Sequence, residues 1–175
     1  MRDLTTHSQI VEFMRLFGRA AHAPVRVYLT GGSTAVLQGW RETTVDIDLR
    51  FTPESDELFR SISKIKEQLN INLELAAPSD FIPELPGWEE RSIFVAQEGK
   101  ARFFQYDPYS QALAKIERGH NQDLLDVKSM FDSKLIEASR LLEFYDAIEP
   151  LIFKYPAINP EIFRSKVIAF IQTIA

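Results

Sequence analysis

The segment Val45-Asp46-Ile47-Asp48-Leu49-Arg50-Phe51 alternates apolar and charged residues without a break. Successive side chains on a strand point to opposite faces, so this period of two predicts a strand with one buried face. Val45, Ile47, Leu49 and Phe51 are expected on the inward face, and Asp46, Asp48 and Arg50 on the other. Aspartate is depleted in strands. Two aspartates on one face repel each other unless a positive charge sits between them. A solvated edge strand is one reading. The other is a carboxylate pair that shares one or two divalent cations, which in turn hold phosphates.

Upstream, Val27-Tyr28-Leu29-Thr30 reads as the end of a strand and runs directly into Gly31-Gly32-Ser33 and a short helix. Glycines at 31 and 32 let the backbone adopt positive φ and approach a ligand closely. A helix start offers free N–H groups to a phosphate. Ser33 is placed to cap that helix, to contact a phosphate oxygen, or both. A plain strand–turn–helix connection uses the same residue types. The chain has no Gly-x-Gly-x-x-Gly, no P-loop Gly-Lys-Ser/Thr and no Gly-x-Ser-x-Gly elbow, so a serine hydrolase is disfavoured.

The chain has 175 residues, enough for one domain with a helical appendage. It lacks cysteine and carries three scattered histidines, which leaves carboxylates as metal ligands and favours Mg²⁺ or Mn²⁺ over zinc. A net charge of −5 argues against a broadly basic surface but leaves room for a local basic groove. No run approaches the roughly 18 apolar residues of a membrane helix. The polar start, Met1 to His7, has no signal-peptide core. The expected location is therefore the cytoplasm, with no membrane partner.

Helical spacing is expected from Thr6 to about Ala21, strands at Val25 to Thr30 and Ile71 to Ala76, and a helix opening at Pro53 and Glu54. Pro78, Pro83, Pro86 and Gly87 mark a long loop. Ser92 to Gln97 and Ala101 to Tyr106 flank Glu98-Gly99-Lys100 as a hairpin, and the chain beyond Asp107 reads as helical. The expectation is an α/β (α+β) core with a mixed sheet over residues 1–106 and a C-terminal helical segment over 107–175.

Taken together, the turn Leu29-Thr30-Gly31-Gly32-Ser33 and the strand Val45-Asp46-Ile47-Asp48-Leu49 resemble the signature of the nucleotidyltransferase superfamily. That resemblance implies that Gly31, Gly32 and Ser33 hold a nucleotide's terminal phosphates and that Asp46 and Asp48 ligate metal. It also implies a third carboxylate on a neighbouring strand. Glu74, opposite Ile71, Leu73 and Leu75, is the best match, with Asp80 next. Arg41, just after the short helix, is within possible reach of a phosphate.

A narrower likeness, through Gly39-Trp40-Arg41, Lys115-Ile116-Glu117-Arg118-Gly119 and Asp123-Leu124-Leu125-Asp126, is to domains related to AbiEii-type toxins. It implies that Lys115 approaches the triphosphate or positions the acceptor, and that Asp123 and Asp126 brace its helix or line the site. Spacing alone reads these residues as solvated helical ion pairs.

The implied activity is metal-dependent transfer of a nucleotidyl group from an NTP to an acceptor hydroxyl. Asp46, Asp48, Glu74 and Lys115 would be the catalytic residues. The acceptor could be RNA, a protein or a small molecule, and the likeness also implies an antitoxin partner and a toxin–antitoxin or phage-defence role. The last helix suits core packing or a homodimer contact. The competing reading is an inactive nucleotide- or protein-binding module of the same fold.

Overall fold

The structure is a computed structural model that describes residues 2–174. In chain order its elements are β1 (Thr5–Thr6), α1 (His7–Ala20), β2 (Val25–Thr30), α2 (Gly32–Leu37), β3 (Thr43–Thr44) and β4 (Asp46–Thr52). Next come α3 (Asp56–Leu69), β5 (Asn72–Leu75), α4 (Trp88–Arg91), β6 (Ile93–Glu98) and β7 (Ala101–Gln105). Four longer helices follow: α5 (Pro108–Arg118), α6 (Asn121–Asp132), α7 (Ala138–Ile148) and α8 (Pro160–Ile174). The fold is mixed α/β. The chain forms two compact units, Met1–Ala77 with Ser92–Gln105 and Pro78–Arg91 with Tyr106–Ala175.

The first unit is built on a five-stranded sheet in the order β5-β4-β2-β7-β6. β2 runs antiparallel to β4 and parallel to β7, while β4 and β5 are parallel. The alternation along β4 is realised: Ile47, Leu49 and Phe51 are buried, and Asp46, Asp48 and Arg50 are half-buried. Phe13 and Phe17 of α1 and Ile62 and Ile65 of α3 join the inward row of the sheet in one core. Each fully buried side chain of this size stabilises the fold by about 1.5–3 kcal/mol. Thr6 and Gln9 close a capping box on α1. Ser55 caps α3, whose first turn carries Asp56 and Glu57, and Asn70 ends it in the left-handed conformation.

Most element ends shift by a residue or two from the sequence expectation, and two of these shifts have a clear local cause. Val45 is 63% exposed and lies outside β4. It is the bend between β3, which pairs with β1 in a separate two-stranded sheet, and β4. Helix α3 starts at Asp56, after Pro53 and Glu54, because the Ser55 hydroxyl accepts the Leu58 N–H.

In the second unit the proline-marked segment is tied to the helices. Trp88 stacks on Tyr106 with centroids 4.5 Å apart, and the Tyr155 hydroxyl donates to the Ser79 carbonyl. Arg91 donates twice to Asp107, the N-cap residue of α5. Among the described residues no helix is long and apolar enough to cross a membrane.

Candidate functional site

The parallel pairing of β4 with β5 sets Asp46 beside Asn72 and Asp48 beside Glu74. All four side chains project from the sheet face opposite the core, because they alternate along their strands with Ile47, Leu49, Ile71 and Leu73, which are buried. Asp46, Asp48 and Glu74 each offer a carboxylate oxygen within 4.8 Å of the other two. Three like charges this close repel in a half-exposed setting. The Asn72 side-chain amide partly offsets the repulsion. It donates to Asp46 and, at 3.5 Å, to Glu74. An all-oxygen, carboxylate-only set suits Mg²⁺ or Mn²⁺.

On the other side of β4, Thr30 at the end of β2 pairs with Asp48, so the chain enters the glycine turn directly beside that carboxylate. Gly31 has φ +66°, and a Cβ there would collide with an Asp48 carboxylate oxygen. Only glycine reconciles this backbone with so close an approach. Gly32 differs from expectation. Its φ lies outside the left-handed region, and its constraint is space: a Cβ would fall 2.8 Å from an Arg41 terminal nitrogen and 2.8 Å from Thr44 Cβ. The turn thus brings the Arg41 guanidinium against its own backbone. Thr44 is buried and donates to the Asp46 carbonyl, coupling this wall to the start of the carboxylate strand.

Ser33 is the second residue of α2. Gly31 is the N-cap, and no side chain caps this helix. Of the two roles open to the serine, capping is therefore absent. Its side chain is fully buried, and among the described residues its Oγ has no hydrogen-bond partner. An unsatisfied buried hydroxyl costs about 1–3 kcal/mol, and such a cost in a native fold calls for a partner.

Lys115, Asp123 and Asp126 lie in the second unit and are buried, where spacing alone suggested solvated pairs. The Lys115 ammonium is 2.8 Å from Asp126 and 3.5 Å from Asp123, and Arg118 also binds Asp123. Burial pushes the Asp123 carboxyl up. The Arg118 hydrogen bond and the charges of Lys115 and Arg118 outweigh it and hold the group below the usual carboxylate range. Lys115 is thus the centre of an ion cluster that joins α5 to α6. Asp80, the second choice for a third carboxylate, is in a short 3-10 turn of the second unit.

Strand periodicity by itself does not mark Asn72 as a site residue. Its signal was present, since it shares the alternating face of Glu74 two residues on. Arg41 is expected within reach of a phosphate, but its contact with the turn depends on how the segment after α2 folds back.

Residues 6–172 match the family described as a nucleotidyltransferase of unknown function, DUF6036. No curated protein and no solved structure gives a significant match to the chain.

Proposed function

The chain belongs to this DUF6036 family of nucleotidyltransferases, and from that premise we propose that it transfers a nucleotidyl group from an NTP to an acceptor hydroxyl at the Asp46–Asp48–Glu74 site. The observation that carries the reading is the convergence of three carboxylates beside a glycine turn that holds an unpartnered serine hydroxyl.

Asp46, Asp48 and Glu74 would hold Mg²⁺ or Mn²⁺. Such an ion, when bound, neutralises phosphate charge and makes an acceptor hydroxyl easier to deprotonate. The Ser33 hydroxyl donates to a terminal phosphate oxygen and so gains its missing partner. Gly31 lets the backbone come close to the phosphates. The Arg41 guanidinium supplies positive charge that three carboxylates and a triphosphate otherwise lack. In the transfer, the acceptor oxygen bonds to the α-phosphorus as the bond to the β-phosphate oxygen breaks. Pyrophosphate leaves with that electron pair, and the acceptor proton passes to a carboxylate of the triad. The work is positioning and electrostatics, with no protein nucleophile.

Glu74 discriminates between turnover and a binding module. A module that only holds nucleotide has no need of a third carboxylate within metal-sharing distance, so its position favours the enzyme. The likeness to AbiEii-type toxin domains supports a toxin or phage-defence role. The test is incubation of the full chain with each labelled NTP, Mg²⁺ or Mn²⁺ and cell extract. Label should pass to a macromolecule or small acceptor with the wild type and not with Asp46→Asn/Asp48→Asn. Label transfer that persists in the double variant sinks the proposal.

A further inference from the structure

The side chains that β4 and β5 present beside the glycine turn form a square, with Asp46 and Asp48 on one strand and Asn72 and Glu74 on the other. Three corners are acids and the fourth is an amide. Asparagine is disfavoured in strands, and β5 is an edge strand that pairs only with β4. Neither propensity nor sheet pairing accounts for an asparagine at this corner, but its contacts do. The Asn72 amide nitrogen donates to Asp46 across the strands and, at 3.5 Å, to Glu74 two residues on. A side-chain amide nitrogen carries two hydrogens, and here both go to carboxylates of the triad. The flipped amide would set its carbonyl oxygen against the same two anions, so the surroundings fix which end faces them.

The backbone beneath this amide is held from several sides. Ile71 is fully buried, its N–H donates to the Lys66 carbonyl at 3.2 Å, and its own carbonyl accepts from Arg2 at 3.0 Å. Leu73, on the other side, is buried as well. A donor on so fixed a base can set the positions of the side chains it binds.

Those side chains need holding. Like charges within 4.8 Å of one another repel, and Glu74 is exposed and has room to swing away. Among the described residues neither Asp46 nor Glu74 pairs with a lysine or arginine. A lysine at position 72 would gather them too, but it would cancel a charge and occupy the place of a cation. A neutral amide gathers them and leaves every negative charge in place. That these acids serve a ligand is indicated separately by the adjoining turn, where the fully buried Ser33 hydroxyl has no hydrogen-bond partner among the described residues.

We propose that Asn72 is a positioning residue of the carboxylate site, holding Asp46 and Glu74 at cation-sharing distance before the cation arrives. It touches neither substrate nor reacting atoms and acts through the two carboxylates. Partners of this kind, one step out from a metal, govern affinity because they spare the ligands a rearrangement on binding. The proposal rests on the reading of Asp46, Asp48 and Glu74 as a metal-dependent transfer site, but metal binding is measurable without NTP, acceptor or turnover.

The experiment is titration of the full chain with Mn²⁺, followed by the electron paramagnetic resonance signal of the free ion. Alongside it run melting curves in EDTA and the label-transfer assay. The variants are Asn72→Leu, which keeps the size and removes both donors, and Asn72→Lys, with Asp46→Asn/Asp48→Asn as the control for Mn²⁺ held elsewhere. Asn72→Leu should weaken the Mn²⁺ binding that the control lacks by about 10- to 100-fold with circular dichroism unchanged. Its label transfer should need more Mn²⁺ by the same factor and recover when Mn²⁺ is raised. Asn72→Lys should lose Mn²⁺ binding at the site and melt above Asn72→Leu in EDTA, because its ammonium stands where the cation would. A merely structural asparagine would move the melting temperature and leave Mn²⁺ affinity alone. Wild-type Mn²⁺ affinity in Asn72→Leu overturns the proposal, and so does wild-type affinity in Asn72→Lys, which decides the matter if the leucine variant does not fold. No site-specific Mn²⁺ binding by the wild type overturns it together with the metal-site reading. Weakened Mn²⁺ binding in Asn72→Leu, with no label transfer by the wild type, would leave Asn72 in its role and reject the transfer chemistry.

Discussion

Neutralising the carboxylate strand should stabilise the protein without metal and abolish its response to metal. The perturbation is Asp46→Asn with Asp48→Asn, which keeps side-chain size and the oxygen that accepts from Asn72. Carboxylate oxygens of Asp46, Asp48 and Glu74 lie within 4.8 Å of one another. At that distance one pair of unit charges repels by about 0.9 kcal/mol in water and about 3.5 kcal/mol at an effective dielectric of 20. The two aspartates are half-buried and Glu74 is exposed, so screening sets the value near the lower end, about 1 kcal/mol per pair. For a chain of this size each kcal/mol moves the melting temperature by about 2–4 °C. The double variant removes all three repulsive pairs, about 3 kcal/mol, so in EDTA it should melt about 6–12 °C above the wild type. In Mn²⁺ at a hundred times its dissociation constant the wild type should gain about 2.7 kcal/mol, while the variant should not move. Differential scanning fluorimetry across a Mn²⁺ titration reads both effects. A variant that melts lower in EDTA, or that retains the metal shift, would refute the argument that these side chains form a charge-frustrated cation site.

Three further outcomes follow from other parts of the molecule. Ser33→Ala removes a buried hydroxyl without a hydrogen-bond partner among the described residues. It should leave urea stability unchanged or raise it by up to about 1 kcal/mol while weakening NTP binding in calorimetry, whereas a loss of stability would show that the hydroxyl is structurally engaged. Lys115→Met strips Asp123 and Asp126 of a shared buried cation and should cost about 3 kcal/mol in urea unfolding, with wild-type stability counting against a buried network. The Asp123 carboxyl is held below its ordinary value in the folded state. Its stabilising contribution is therefore complete above the unfolded value of about 3.9 and drains away as pH falls through the lower folded value, so Asp123→Asn should flatten the acid limb of a stability–pH curve.

Much of the site was legible in the chain because its parts are encoded locally. An alternation such as Asp46 to Phe51 sorts its own side chains onto two faces wherever the strand sits, and the same rule put Glu74 on the polar face of its strand. Gly31-Gly32-Ser33 between a strand and a helix likewise announces a tight turn. The core followed too, since Phe13, Phe17, Ile47 and Leu49 are apolar at the period of their elements.

What the tertiary structure decided were relations between segments that local period does not carry. Only the parallel register of β4 with β5 makes Glu74 the neighbour of Asp48 and inserts Asn72 against Asp46. Only the tertiary structure sets Gly31 at positive φ against the Asp48 carboxylate, and only the fold-back of Arg41 and Thr44 makes empty space the requirement at Gly32. The same holds for Lys115, which spacing on a helix assigns to solvent. Packing of α5 against α6 buries it, and once water is removed its charge must be met by Asp123 and Asp126. The segment from Pro78 to Arg91 reads as a loop of the sheet unit and joins the helices instead, because the aromatic and ionic partners of Trp88 and Arg91 lie after the last strand. Periodicity reports the environment a side chain prefers, and which partners supply that environment is settled by contacts between residues far apart in the chain.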